Sequence, residues 1–245
     1  MSLSPDNPFR TSASFWRCRE QSKTDPEAAE LLARSYRGAW NRRGYVRRCD
    51  ILHYLTITTA PEGVDLVFDA LRSRSEPVLG SAAIAAHQYM RRGHKFDSDQ
   101  NRLLLRTIWK SARPTTVHFA LWAIEPSMTE EEYEALLESM RVQHPEPDSR
   151  FDAAYELLYR GREDVTADLI REMPLCEYPC YAAERLLWDK AKAHLSAAQF
   201  DAVHDVIRHQ MDHLREMAIR GEDPWKHAAV YLIEKWVQRY GLPYE

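Results

Sequence analysis

Glycine is scarce in this chain, 8 residues in 245. A β-sandwich or barrel needs frequent Gly- and Pro-rich turns between short strands, so that architecture is disfavoured. Cysteine is equally thin: Cys18, Cys49, Cys176 and Cys180 lack the density of a disulfide scaffold, and a reducing cytoplasm is the expected compartment. No apolar run approaches the roughly 20 residues of a membrane span. The opening Met-Ser-Leu-Ser-Pro-Asp-Asn-Pro lacks the basic-then-apolar plan of a signal peptide, which supports the same placement and no membrane partner. Charge of one sign is also missing. Lys+Arg number 33 against 37 Asp+Glu, a formal net charge of −4, which gives no global attraction to nucleic acid. There is no phosphate-cradling glycine loop, no Gly-x-Ser-x-Gly elbow and no dinucleotide fingerprint. No cofactor, no metal and no catalytic residue are expected.

What is present is a helical period. The sequence is 44% hydrophobic and 29% charged, with a mean hydropathy of −0.55, enough for a core under a well-solvated surface. Most of its 13 prolines lie between apolar segments. Within them a unit recurs. Leu52, Ala86, Ala120 and Ala154 stand 34 residues apart; Ala183 follows after 29 and Ala229 after 46. Three residues before these anchors come Cys49, Ala83, Val117, Phe151 and Cys180, with Lys226 breaking the series. Three after come Leu55, Tyr89, Ala123, Leu157, Leu186 and Leu232, and four after Thr56, Met90, Ile124, Leu158, Leu187 and Ile233. Positions −3, 0, +3 and +4 fall on one helical stripe, so six helices are expected to bury the same face. The residue before each anchor is apolar and often small (Ile51, Ala85, Phe119, Ala153, Ala182, Ala228), which lets neighbouring helices approach closely.

Partner helices are expected between them. Asp25-Pro26-Glu27 opens one with a cap and a first-turn proline. Others cover 62–73, 99–111 and 130–143, the last opened by a Thr129/Glu132 capping box. A short one lies near 165–173, and Ser196 with Gln199 opens a long one through about 219. Paired helices whose second members carry small anchors resemble HEAT-like repeat proteins over roughly residues 25–240, a likeness at the level of fold. The tetratricopeptide repeat shares the 34-residue period, but its first-helix Trp…Leu-Gly…Tyr pattern is absent. The resemblance implies an all-α, right-handed α-solenoid of about six helix pairs spanning 25–245. Residues 1–24 would form an N-terminal arm or cap.

In such solenoids the second helices line the concave surface. The face opposite the buried stripe reads Asp50, His53, Tyr54; Ile84, His87, Gln88, Arg91; His118, Leu121, Trp122; Asp152, Tyr155, Glu156, Tyr159; Tyr181, Glu184, Arg185, Trp188; His227, Val230, Tyr231. Aromatic and arginine side chains desolvate large areas and keep polar tips, so this ladder is the expected partner-binding face. Arg34, Arg37, Arg42, Arg43, Arg47 and Arg48 crowd the first repeat, a mixture suited to phosphate or an acidic protein. Glu130, Glu131, Glu132, Glu134 and Glu138 make an acidic edge, three of them well placed at a helix N-terminus.

Three other constellations carry little chemistry. His209, His213, Glu216 and Asp205 share a helical face with metal-ligand spacing, but Phe200, Val203, Ile207 and Leu214 place the core on the opposite side. Cys49 and Cys180 fall on the buried stripe as core residues. Asp152 and Glu156 share a face without a pocket to perturb them. The expected function is a non-catalytic protein-binding solenoid, more narrowly a bacterial immunity or antitoxin-type inhibitor that clamps a partner such as a toxin. The alternative is a HEAT-like DNA glycosylase or other nucleic-acid-binding protein; the resemblance implies that the concave face of such a glycosylase is basic. Here Asp50, Asp152, Glu156 and Glu184 stand against only Arg91 and Arg185, so a nucleic-acid partner is not expected.

Overall fold

The computed structural model describes residues 61–177, 179–186 and 194–220, with isolated positions at 17, 20, 21, 25, 27, 49, 51 and 52. The described residues form helices and short connections, with no strand among them. In order these are α1 (Pro61–Ala70), α2 (Glu76–Arg91), α3 (Ser98–Lys110), α4 (Pro114–Ile124), α5 (Glu130–Gln143), α6 (Pro147–Tyr159), α7 (Thr166–Glu172), α8 (Pro179–Leu186) and α9 (Ala197–Arg220). Helix 62–73 ends three residues early and the others agree with the sequence expectation within two or three.

The helix ends follow from local chemistry. Thr129 and Glu132 exchange backbone bonds at 2.9 and 3.2 Å. Ser196 and Gln199 do the same at 2.9 and 3.3 Å. A third capping box, Asp97 with Gln100, opens α3. α2 and α6 stop at Gly93 (φ 84°) and Gly161 (φ 90°). There the Gly93 amide donates to the Met90 carbonyl and His94 to Tyr89; Gly161 donates to Leu158 and Arg162 to Leu157. This double closure needs a left-handed residue, and glycine adopts it without strain.

The anchor stripe is buried at most of its described positions, with Met90 only half-buried. Leu52, Ala83, Ala86, Ala120, Ala123, Ala154, Leu157, Ala183 and Leu186 are each fully covered. So are the small residues one position earlier, Ala85 and Ala153. Cys49 departs from this pattern: it is half-buried, with its thiol on the Pro77 carbonyl at 3.3 Å. The N-terminal arm, the arginine-rich first repeat, the anchor Ala229 and the side chain of Cys180 lie outside the described residues.

The described residues fall into two compact units. The first holds α1 to α4, the start of α5 and residues 144–149. Its α1 packs on α2, and α4 packs on both α2 and α3. The joint between α2 and α4 is tight, since a Cβ at Gly80 would stand 3.1 Å from Thr116 Oγ1. His144 braces one end. Its Nε2 lies 2.9 Å from the Ile108 carbonyl while Nδ1 accepts from the Glu146 amide at 3.2 Å. That pairing fixes the Nε2–H tautomer, and the Trp109 ring stacks on it at 5.7 Å.

The second unit holds 137–143 and the residues from 150 onward. α8 and α7 pack on α9, and Gln199 joins α9 to the Thr166 hydroxyl at 3.0 Å. Around Leu137, Met140, Leu169 and Met173 of its core runs a chain of charges that alternate in sign: Asp164, Arg162, Glu138, Arg141, Asp168, Arg171, Glu172, Arg150. Its links include Arg162–Glu138 at 2.6 Å, Asp168–Arg171 at 2.5 Å and Arg150–Glu172 at 2.7 Å, with Arg141 paired to both Glu138 and Asp168. Burial raises the Glu138 carboxyl, but hydrogen bonds from Arg141 and Arg162 outweigh it and hold the group below its ordinary value. Glu138, expected as part of an open acidic edge, is thus held within the structure.

Candidate functional site

Each unit carries one cluster built from the face opposite the anchor stripe. In the first unit, α2 supplies His87, Gln88 and Arg91, and α4 supplies His118 and Trp122. The α2–α4 contact brings these together because Ala86 and Ala120 leave room for close approach. The His118 and Trp122 rings lie 3.8 Å apart. His87 sits 5.3 Å from Trp122 and 5.5 Å from Phe119.

His87 was expected on the open face and is instead buried, 8% exposed. The aromatic residues of the next helix close over it, and its Nδ1 has no hydrogen-bond partner. Burial, then the charges of Arg91 and His118, hold the imidazole below its ordinary 6.5. A proton here would place an uncompensated charge in an apolar seam. Leu121, on the same face, is also buried. Gln88, His118 and Trp122 are half-buried and Arg91 is exposed.

In the second unit, α6 supplies Asp152, Tyr155, Glu156 and Tyr159, and α8 supplies Arg185. The Arg185 guanidinium lies 4.2 Å over the Tyr155 ring and 5.5 Å over Phe151. It is also paired with Asp152. The Tyr155 hydroxyl donates to the Arg185 carbonyl at 3.2 Å, so side chain and backbone of Arg185 grip the same ring. Tyr155 was expected to be open and is buried, 5% exposed, because Arg185 covers it. Burial first, then the hydrogen bond and charge of Tyr159, push its phenol well above the ordinary value. Tyr159 remains open at 43% exposure, its ring 5.1 Å from that of Tyr155.

Arg185 therefore offers a half-buried guanidinium stack with its charge already balanced, while Tyr159 supplies the exposed aromatic surface. Glu156 lies beside it, loosely paired with Arg160 at 3.9 Å. Asp152 and Glu156 do not act as paired carboxylates, since each faces an arginine. Asp50, His53, Tyr54, Trp188, His227 and Tyr231, and the side chains of Tyr181 and Glu184, lie outside the described residues.

On α9, His209 and Glu216 are exposed and Asp205 pairs with Arg208 at 2.8 Å. Among the described residues no three His, Cys, Asp or Glu side chains stand together as a metal site, and no helix is long and apolar enough to cross a membrane. Sequence reasoning missed the burial of His87 and Tyr155 because face periodicity places a residue on a helix without saying what the next helix lays over it. Set against protein-family models, curated proteins and solved structures, the chain matches none of them.

Proposed function

We propose that this chain is a non-catalytic, HEAT-like protein-binding molecule that engages its partner through the Tyr159–Tyr155–Arg185 face. The observation that carries the reading is an exposed tyrosine resting on a pre-ordered tyrosine–arginine stack. Tyr and Arg anchors in a desolvated setting are the composition of interface hot spots, and rotamers fixed beforehand reduce the entropy lost on association. The solenoid reading is supported by the shared burial of equivalent positions in α2, α4, α6 and α8. The narrower form of the proposal is an inhibitor of the immunity or antitoxin type, clamping a toxin-like partner. The balance of Arg185 by Asp152 speaks against phosphate as the ligand of this face.

A photo-crosslinking residue placed at position 159 of the full chain, exposed to extract of the source cells, tests it. A discrete protein adduct from position 159, weakened by Arg185→Ala and missing when the crosslinker sits at position 208, supports the reading. The same adducts from both positions, or none from either, would sink it.

A further inference from the structure

We propose that the outer ridge of α3, with the α1–α2 and α3–α4 connections beside it, is a docking surface for an acidic protein segment. The proposal rests on the protein-binding reading but not on the Tyr159 face.

Arg106, Lys110, Arg113 and Arg74 are exposed, and none has a carboxylate partner among the described residues. Their state contrasts with the second unit, where Arg141, Arg150, Arg162, Arg171 and Arg185 are all engaged in ion pairs. Arg106 and Lys110 are successive members of one α3 ridge, about 6 Å apart along the axis by the helical rise. Arg113 continues the ridge in the extended residue that opens α4 (φ −103°, ψ 116°). Arg74 joins them because the Ser111 hydroxyl donates to Glu76 at 2.7 Å, which ties the two connections together. Glu76 brings one carboxylate to this group, its Oε2 held by the Ser111 hydroxyl. Arg72 adds a fifth cation, loosely paired with Asp69 at 3.8 Å, and Arg102 at the far end is paired with Asp99 at 3.3 Å.

The chemistry selects an acidic protein segment over nucleic acid for two reasons. Single strands need aromatic platforms for their bases, and Trp109, the aromatic residue of α3, already stacks on His144. A long polyanion also meets the whole molecule, which is net acidic at −4 and carries exposed Glu130, Glu131 and Glu132 in the same unit. The attraction of the ridge is local, reaching only a Debye length of about 8–10 Å. A short run of Asp and Glu fits that range.

The test measures anisotropy of a labelled short oligoglutamate peptide with the full chain, between about 50 and 200 mM salt. The expected result is binding at low salt that weakens as salt rises. It should weaken by about tenfold in the Arg106→Glu, Lys110→Glu, Arg113→Glu variant and less in the corresponding glutamine variant. A Tyr159→Ala variant should bind the peptide as the parent does, which separates this proposal from that of the Tyr159 face. The proposal is overturned by absent low-salt binding, by equal binding in both charge variants, or by tighter binding of a DNA duplex at the same sites. Self-association abolished by the glutamate variant would also overturn it, assigning the ridge to a second copy of the chain.

Discussion

Glu172 tests how the second unit is held together. Its side chain is 8% exposed, and Oε2 accepts from Arg150 Nε at 2.9 Å and Nη2 at 2.7 Å. Oε1 faces Arg171 Nε at 3.4 Å. Removing one partner of a buried pair costs about 3–5 kcal/mol, because the other charge is left desolvated. Arg150 retains 20% exposure and recovers some hydration, so Glu172→Ala is expected at the low end, about 3 kcal/mol. That is a large share of the roughly 5–15 kcal/mol that holds a domain folded. Glu172→Gln keeps the shape and an acceptor but loses the charge, and should cost about 1–2 kcal/mol. The double variant Arg150→Met, Glu172→Met removes both charges and refills the volume. It should be less destabilised than Glu172→Met alone. Urea unfolding followed by circular dichroism, with m-values checked for constancy, supplies the cycle. A double variant whose loss equals the sum of the singles would refute the argument, since it would show no coupling between the two groups.

The remaining predictions concern titration and packing. The depressed His87 gives the unfolded chain more protons than the folded one below 6.5, so stability should fall as pH drops from about 7.5 towards 5.5. His87→Leu should flatten that dependence in thermal melts, and an unchanged slope would exclude His87 as its source. Glu138 and Asp164 are both held low through Arg162. Their contribution is present above the ordinary carboxylate range and is lost as pH falls through the folded values. Arg162→Met should therefore soften acid unfolding below the ordinary 4.5 of glutamate while leaving the neutral-to-pH-5 limb unchanged. Ala120 is fully buried where α4 meets α2, and Ala120→Leu should cost about 1–3 kcal/mol by overpacking. A neutral result in urea titration would mean that the small residue is not what allows the close approach.

Much of the helical order was legible because it depends on local rules. Thr129, Ser196 and the anchors Ala86, Ala120, Ala154 and Ala183 announce helix starts and buried faces through spacing alone, and the structure bears these out. The Asp97/Gln100 box and the stops at Gly93 and Gly161 carried equally local signals in the sequence, an Asx residue three before a glutamine and an Arg-Gly step. The candidate faces were less legible because they depend on the neighbour. His87 and Tyr155 occupy the expected side of their helices, yet Trp122 and Arg185 cover them from elsewhere in the chain. The charge chain through Glu138, Asp168 and Glu172 was invisible for the same reason. Its members look like solvated helix faces until Arg162 and Arg150 arrive from 24 and 22 residues away.

That chain has an evolutionary consequence. Its eight members balance, four of each sign, and each inner member faces the opposite charge on both sides. A sign change at one position is therefore resented by its two neighbours, and a drift at Asp168 has to be answered at Arg141 or Arg171 before it is tolerated. Substitutions at residues 138, 141, 150, 162, 164, 168, 171 and 172 should arise as compensated sets among related sequences. Tyr159 and the α3 ridge lie outside that chain of charges, can change one residue at a time and are where partner preference can diverge.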